Sequence, residues 1–153
     1  MNFTVRAGSI DDLGTLVSFT LAEANEAEGN EKSSTIVSEG IKTGLENPAI
    51  AQYWVLEDDE RNIIGSVSIV KEWSDWHAGY YWWIQSMFIR SEYRGQGLMK
   101  LLLDKVKMVA KTDNALELRL YVHEENTRAI RAYHREGFSD SPYQIMTLAI
   151  END

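Results

Sequence analysis

Residues 81–111 read YWWIQSMFIRSEYRGQGLMKLLLDKVKMVAK, and their order decides the fold. Residues 81–89 are strongly apolar and predict a buried strand. Residues 90–97 are a short polar turn containing Gly95 and Gly97. Leu98, Leu101, Leu102, Val106 and Val109 then recur at helical spacing. A strand, a glycine turn and a helix start in that order predict an anion site. The first amides of a helix have no intrahelical partner, and the helix dipole is positive there. The two glycines let a phosphate approach the backbone with no Cβ in the way. Two familiar phosphate patterns fail. A Walker A loop needs Gly before its Lys and Ser or Thr after it, but Lys100 lies between Met99 and Leu101. A dinucleotide fingerprint needs a third small residue where Lys100 stands.

The turn instead resembles the acetyl-CoA loop of the GNAT superfamily of N-acyltransferases, Gln/Arg-x-x-Gly-x-Gly/Ala. Here it is Arg94-Gly95-Gln96-Gly97-Leu98-Met99, and Met99 is the one departure. A second match lies downstream. Asn126, Ala129, Tyr133, Gly137 and Phe138 are similar to the family's Asn-x-x-Ala-x-x-x-Tyr-x-x-x-Gly-Phe segment. Two motifs in the right order, with an alternating strand between them, make a specific signal. A subgroup of the family is also similar in its Glu-Trp-Ser-Asp-Trp turn and Trp-Trp-Ile-Gln-Ser strand. The resemblance implies an α/β (α+β) fold: one mixed, mostly antiparallel sheet of six or seven strands, flanked by about four helices.

Composition agrees with one globular domain over residues 1–153. The chain is 44% apolar and 25% charged, which excludes a disordered polar chain. Without cysteine it has neither disulfides nor thiolate metal sites. His77, His123 and His134 lack ligand spacing, so no metal is expected. No secretory signal opens the chain and no apolar run is long enough to span a membrane, so the expected location is cytoplasmic. The net charge of −9 disfavours nucleic acid as a partner. It suits a cationic substrate such as an amine, and it equally suits a plain soluble surface.

Taken in order, residues 2–7 predict a strand. Ser9 is a helix N-cap ahead of Asp11 and Asp12, with Leu13, Leu16, Val17, Leu21 and Ala24 as the buried stripe. A second helix is expected over residues 34–45, ended by Asn47-Pro48. Residues 50–57 and 63–72 form a hairpin about residues 58–62, and Gly65 marks a close approach or a bulge. Four of the five tryptophans fall within residues 73–83. Such a cluster is either core or, at the polar turn Trp73-Ser74-Asp75-Trp76, a cation-binding face. In the strand over residues 81–89, Trp82, Ile84, Ser86 and Phe88 point one way, and Trp83, Gln85, Met87 and Ile89 the other. Residues 115–122 predict a further strand, with Leu116, Leu118, Leu120 and Val122 inward. Asn126 caps a helix over residues 127–136 that Gly137 ends. A last strand is expected over residues 143–150.

What the resemblance implies for chemistry is direct transfer of an acetyl group from acetyl-CoA to an amine of a small molecule or peptide. The main chain of Met87, Phe88 and Ile89 would bond the pantetheine arm, with an N–H near Phe88 polarising the thioester. Amides from Arg94 through Gly95, Gln96, Gly97, Leu98 and Met99 to Lys100 would hold the diphosphate, and Arg94 would either add a charged contact or pair with a nearby acid. Asn126 would lie by the pantetheine arm or act only as a cap. Tyr133 would protonate the departing thiolate. In the family the early helical region walls the acceptor site, so Glu23, Glu26 and Glu28 are candidate acceptor contacts, as are Trp73, Asp75, Trp76 and Trp83. Neither Trp83 nor Gln85 can act as the base that some relatives carry on the central strand, which leaves a water chain or a carboxylate from Glu26, Glu28 or Asp75. The rival reading is a non-catalytic module that senses acyl-CoA or binds a partner. Dimerisation is common in the family, so a homodimer stays open.

Overall fold

The computed structural model describes residues 1–29 and 32–151. Among these, five strands form one sheet in the order β1-β2-β3-β4-β5: Thr4–Ala7, Gln52–Glu57, Ile63–Ser74, Gly79–Ile89 and Leu118–Leu120. The helices are α1 (Leu13–Glu28), α2 (Ser34–Glu46), α3 (Leu98–Thr112) and α4 (Thr127–Arg135). Strands β1 to β4 are antiparallel to their neighbours, and β5 runs parallel to β4. The expected mixed, mostly antiparallel α/β fold is present, with five strands in place of six or seven. The chain divides into two compact units, residues 1–121 and the segment from Val122 on.

The sheet of the first unit is covered on both faces, as its cross-strand rows show. Val55, Ser66 and Phe88 form one row. It faces α1, where Phe88 meets Phe19 at 4.8 Å between ring centroids and Val55 clusters with Leu16 and with Ile41 of α2. Leu56, Gly65 and Ile89 form the next row, facing α3. A Cβ on Gly65 would stand 2.8 Å from both Ile89 Cδ1 and the Phe88 carbonyl oxygen, so Gly65 marks a close approach, with Leu102 of α3 alongside. Leu102, Leu103 and Val106 of α3 are fully buried. At the start of α1, Arg6 makes paired 2.9 Å bonds to both carboxylate oxygens of the buried Asp12. Asp12 also accepts from the Ser9 N–H at 2.8 Å, which ties β1 to the helix entry.

Three sequence expectations need correction. First, the alternation along β4 breaks. Ser68 faces Ser86 but Ile69 faces Ile84, so Gln85 is an extra residue in a β-bulge. The bulge reverses parity: Trp82 and Ile84 are buried, and so is Ile89, while Phe88 turns to α1. A period-2 reading cannot foresee an inserted residue. Second, the strand over residues 115–122 shrinks to β5. Leu116 donates its N–H to the Tyr80 carbonyl and its side chain sits against Gly79, where a Cβ would come within 3.0 Å. Leu116 and Val122 are each 38% exposed. Third, residues 143–150 form no ladder, and Tyr143, Ile145, Met146, Leu148 and Ile150 are exposed. Alternation supplies a strand's side chains but not the partner whose hydrogen bonds define it.

Candidate functional site: an open strand edge beside a glycine-turned helix start

Strand β4 pairs with β3 along its length but with β5 only at Trp82, Trp83 and Ile84. From Gln85 onward its other edge has no strand beside it among the described residues. In an antiparallel ladder, every second residue turns both its N–H and its C=O outward. Arg90 donates to the Ile64 carbonyl, so the residues at the spacing of Phe88 and Arg90 face β3. Met87 and Ile89 therefore present their main-chain groups to the open edge. Phe88, expected among the main-chain contacts, is paired with Ser66 and turns its amide inward.

Side chains meet that edge. Glu23, in the penultimate turn of α1, accepts the Met87 N–H at 2.8 Å. Burial pushes the Glu23 carboxyl up to about 7, against the Met87 hydrogen bond, which lowers it; nearby Glu26 adds a smaller upward push. Arg94 donates through Nε to the Ile89 carbonyl at 2.7 Å and through Nη2 to both oxygens of Glu26, at 3.1 and 3.2 Å. Of the two readings of Arg94, the acid-paired one is realised: its guanidinium fastens the turn to β4 and α1.

The turn then leads into α3. Gly95 (φ +83°) and Gly97 (φ +76°) are left-handed, a conformation that L side chains rarely adopt. A Cβ at either would have nothing within 4 Å, so it is backbone conformation and not crowding within the chain that selects glycine here. Gly97 is the N-cap of α3 and offers no side-chain cap to the first amides. Gln96 is exposed, Leu98 is buried and Met99 is half-buried. Lys100 bonds Asp104 at 2.7 Å along the helix. An outward amide edge followed by an uncapped helix start fits a donor that carries amides along an arm and a diphosphate at its end.

A cavity of about 290 Å³ opens on the α1 side of this edge. Glu23 lines it together with Val37, Ile41, Tyr53, Val70 and Gln85, and the small residues Gly40, Gly44 and Ala51 give it room. Another, of about 340 Å³, is lined by Phe19, Arg90 and Glu92 and contains neither Glu23 nor Gln85.

Of the other expected residues, those in the first unit do not line the Glu23 cavity. Trp73, Asp75 and Trp76 sit at the exposed β3–β4 tip, where Trp73 meets Tyr80 edge-on at 5.0 Å. None of these three residues lines the Glu23 cavity, whose wall reaches along β3 only to Val70. Trp83 stacks on Tyr121 at 4.4 Å and donates to Glu72 at 3.2 Å. Glu28 pairs with Lys32 at 3.0 Å. In the second unit, Asn126 caps α4 by accepting the Ala129 N–H at 3.2 Å. Gly137 (φ +99°) ends the helix, with the Phe138 N–H bonded to the Tyr133 carbonyl. Tyr133 and Phe138 meet at 5.5 Å between ring centroids. Among the described residues, no group of three His, Asp or Glu side chains could hold a metal ion, and no helix is long and apolar enough to cross a membrane.

The acetyltransferase (GNAT) family profile matches residues 19–138, and the chain belongs to that family. Among solved structures, it is similar to a possible acetyltransferase from Clostridium difficile 630, with a TM-score of 0.91 and 27% identity over 99% of this chain and 100% of that one. A predicted acetyltransferase with acetyl-CoA from Clostridium acetobutylicum shares the fold at TM-score 0.80 and 20% identity, with 96% of each chain covered. So does a ribosomal-protein-alanine N-acetyltransferase from Brucella melitensis, at TM-score 0.77 and 13% identity, covering 97% of this chain and all of that one. A search of curated proteins gave no match. Family and fold support acyl transfer.

Proposed function

We propose that this chain is an N-acetyltransferase that moves an acetyl group directly from acetyl-CoA to a primary amine. The observation that carries the proposal is the open edge of β4, with Met87 and Ile89 presenting main-chain groups beside the start of α3. Acetyl-CoA supplies an activated acyl group when bound. The chain's part is to hold it, polarise it and move protons. The turn from Gly95 to Leu98 holds the diphosphate with backbone amides and the helix dipole. Ile89 pairs its main chain with an amide of the arm. The Met87 N–H, fixed by the sheet, donates to the acyl oxygen as negative charge grows on it; removing one such donor typically costs about 10²–10³-fold in rate. Tyr133 enters through the second sequence motif, as the donor of a proton to the departing thiolate.

Release of free thiol from acetyl-CoA, measured with and without amines, tests the proposal. Amine-dependent release is expected, and Tyr133→Phe should lower kcat by about 10²-fold or more while leaving acetyl-CoA affinity within about twofold. Equal losses in turnover and affinity would remove Tyr133 from the acid role. Acetyl-CoA binding without release to any amine would favour an acyl-CoA sensor instead.

A further inference from the structure

The cavity beside Glu23 contains more than the family likeness requires, and what it says about the acceptor rests on the acetyltransferase reading above. Its lining comes from α1, α2, β2, β3 and β4. Among the lining residues Glu23 is the sole carboxylate, and Lys and Arg are absent. Tyr53 is the other titratable group there, and burial raises its hydroxyl pKa. On α1, Glu26 stands one turn beyond Glu23, already paired with Arg94. Most of the remaining wall is aliphatic or glycine, and the exposed Gly40, Ile50 and Gln85 mark its mouth.

We infer that Glu23 is the general base of the transfer, and that the cavity beside it takes a primary amine on a compact apolar arm, alkyl or aryl, with a single positive charge. A polyamine or a basic peptide would bring a second cation to a wall that has no second carboxylate. The step balances as follows. The ammonium gives one proton to the Glu23 carboxylate, which passes it to water. The freed lone pair attacks the acyl carbon, the C–N bond forms and the C–S bond breaks with its electrons on sulfur. The nitrogen's surplus proton is lost and the thiolate takes one up. The Met87 N–H links the two substrates. While it bonds Glu23 it holds the carboxyl's pKa down. Once it is given to an acyl oxygen, Glu23 swings free into the cavity as a stronger base.

Calorimetric titration of the full chain with 2-phenylethylamine and with spermidine, followed by thiol release with both, tests this. Glu23→Gln keeps an oxygen for the Met87 N–H but cannot take a proton. Gly40→Leu fills the cavity mouth from a helix position where an added Cβ meets nothing within 4 Å. Phenylethylamine is expected to bind and react at least tenfold better than spermidine. Glu23→Gln should lower kcat/KM for it by about 10²-fold and flatten the rise of rate with pH near 7. Both variants should weaken phenylethylamine binding at least tenfold while leaving acetyl-CoA binding within twofold. Transfer to spermidine in preference, or unchanged turnover and pH profile in Glu23→Gln, would overturn the inference and leave the acetyltransferase reading standing. Failure of wild-type protein to bind acetyl-CoA or release thiol would overturn both.

Discussion

The two halves of β4 are one continuous strand, yet they are paired differently. Trp82, Trp83 and Ile84 lie between two strands. Residues 85–89 lie against β3 alone, and α1 and the glycine turn reach their free edge with Glu23 and Arg94. The first half has its main chain satisfied by the sheet and serves stability. The second keeps donors and acceptors outward, where a ligand can exchange places with protein side chains. The divide falls at Gln85: an extra residue shifts register, β5 ends opposite Ile84, and the edge opens. On the proposed function, the donor site comes from where pairing stops more than from which side chains are present.

The contrast is sharpest at Trp82, which is 1% exposed. Trp82→Ala should cost about 3–5 kcal/mol in chemical denaturation, because it leaves a large void in a packed sheet. A loss below about 1 kcal/mol would mean that this half is not the structural one.

Glu23 offers the next largest effect. Its carboxyl has a folded pKa of about 7 against an ordinary 4.5, so the folded state holds its proton more tightly than the unfolded state does. That contribution is fully present below about pH 4.5, falls as pH rises to about 7, and is gone above. The loss approaches about 3 kcal/mol at most. Wild type should therefore lose stability relative to Glu23→Gln between about pH 4.5 and 7, in melting curves taken across that range. A constant gap between the two proteins would place Glu23 in solvent.

Gln85→Ala should be the mildest, within about 0.5 kcal/mol, since the bulged side chain is exposed. A loss above 2 kcal/mol would show that the bulge depends on its side chain.

Much of this was legible in the sequence because it rests on short-range rules. The glycine turn, the helix after it and the Asn126 and Gly137 caps are local patterns of residue type, and each formed where its pattern lay. The site's centre was harder to see. Glu23 and Met87 are 64 positions apart, and only the packing of α1 on the sheet joins them. Among three nearby acids, nothing in the order of residues marks Glu23 as the one turned inward. The inserted Gln85 escaped a two-residue period for a related reason, since a bulge is a relation between two strands. The exposed tryptophans at the β3–β4 tip drew attention by composition, and neither Trp73 nor Trp76 lines the Glu23 cavity.

The most direct test is titration of isotope-labelled protein with acetyl-CoA, observed at backbone amides by heteronuclear NMR. The largest shifts are expected at Met87, Ile89, Gly97 and Leu98, with little change at Trp82 and Trp83. Gly97→Glu, which sets a carboxylate beside the diphosphate, should abolish them. Shifts centred on the doubly paired half of β4, or no binding at all, would contradict the assignment of the open edge as the acyl-donor site.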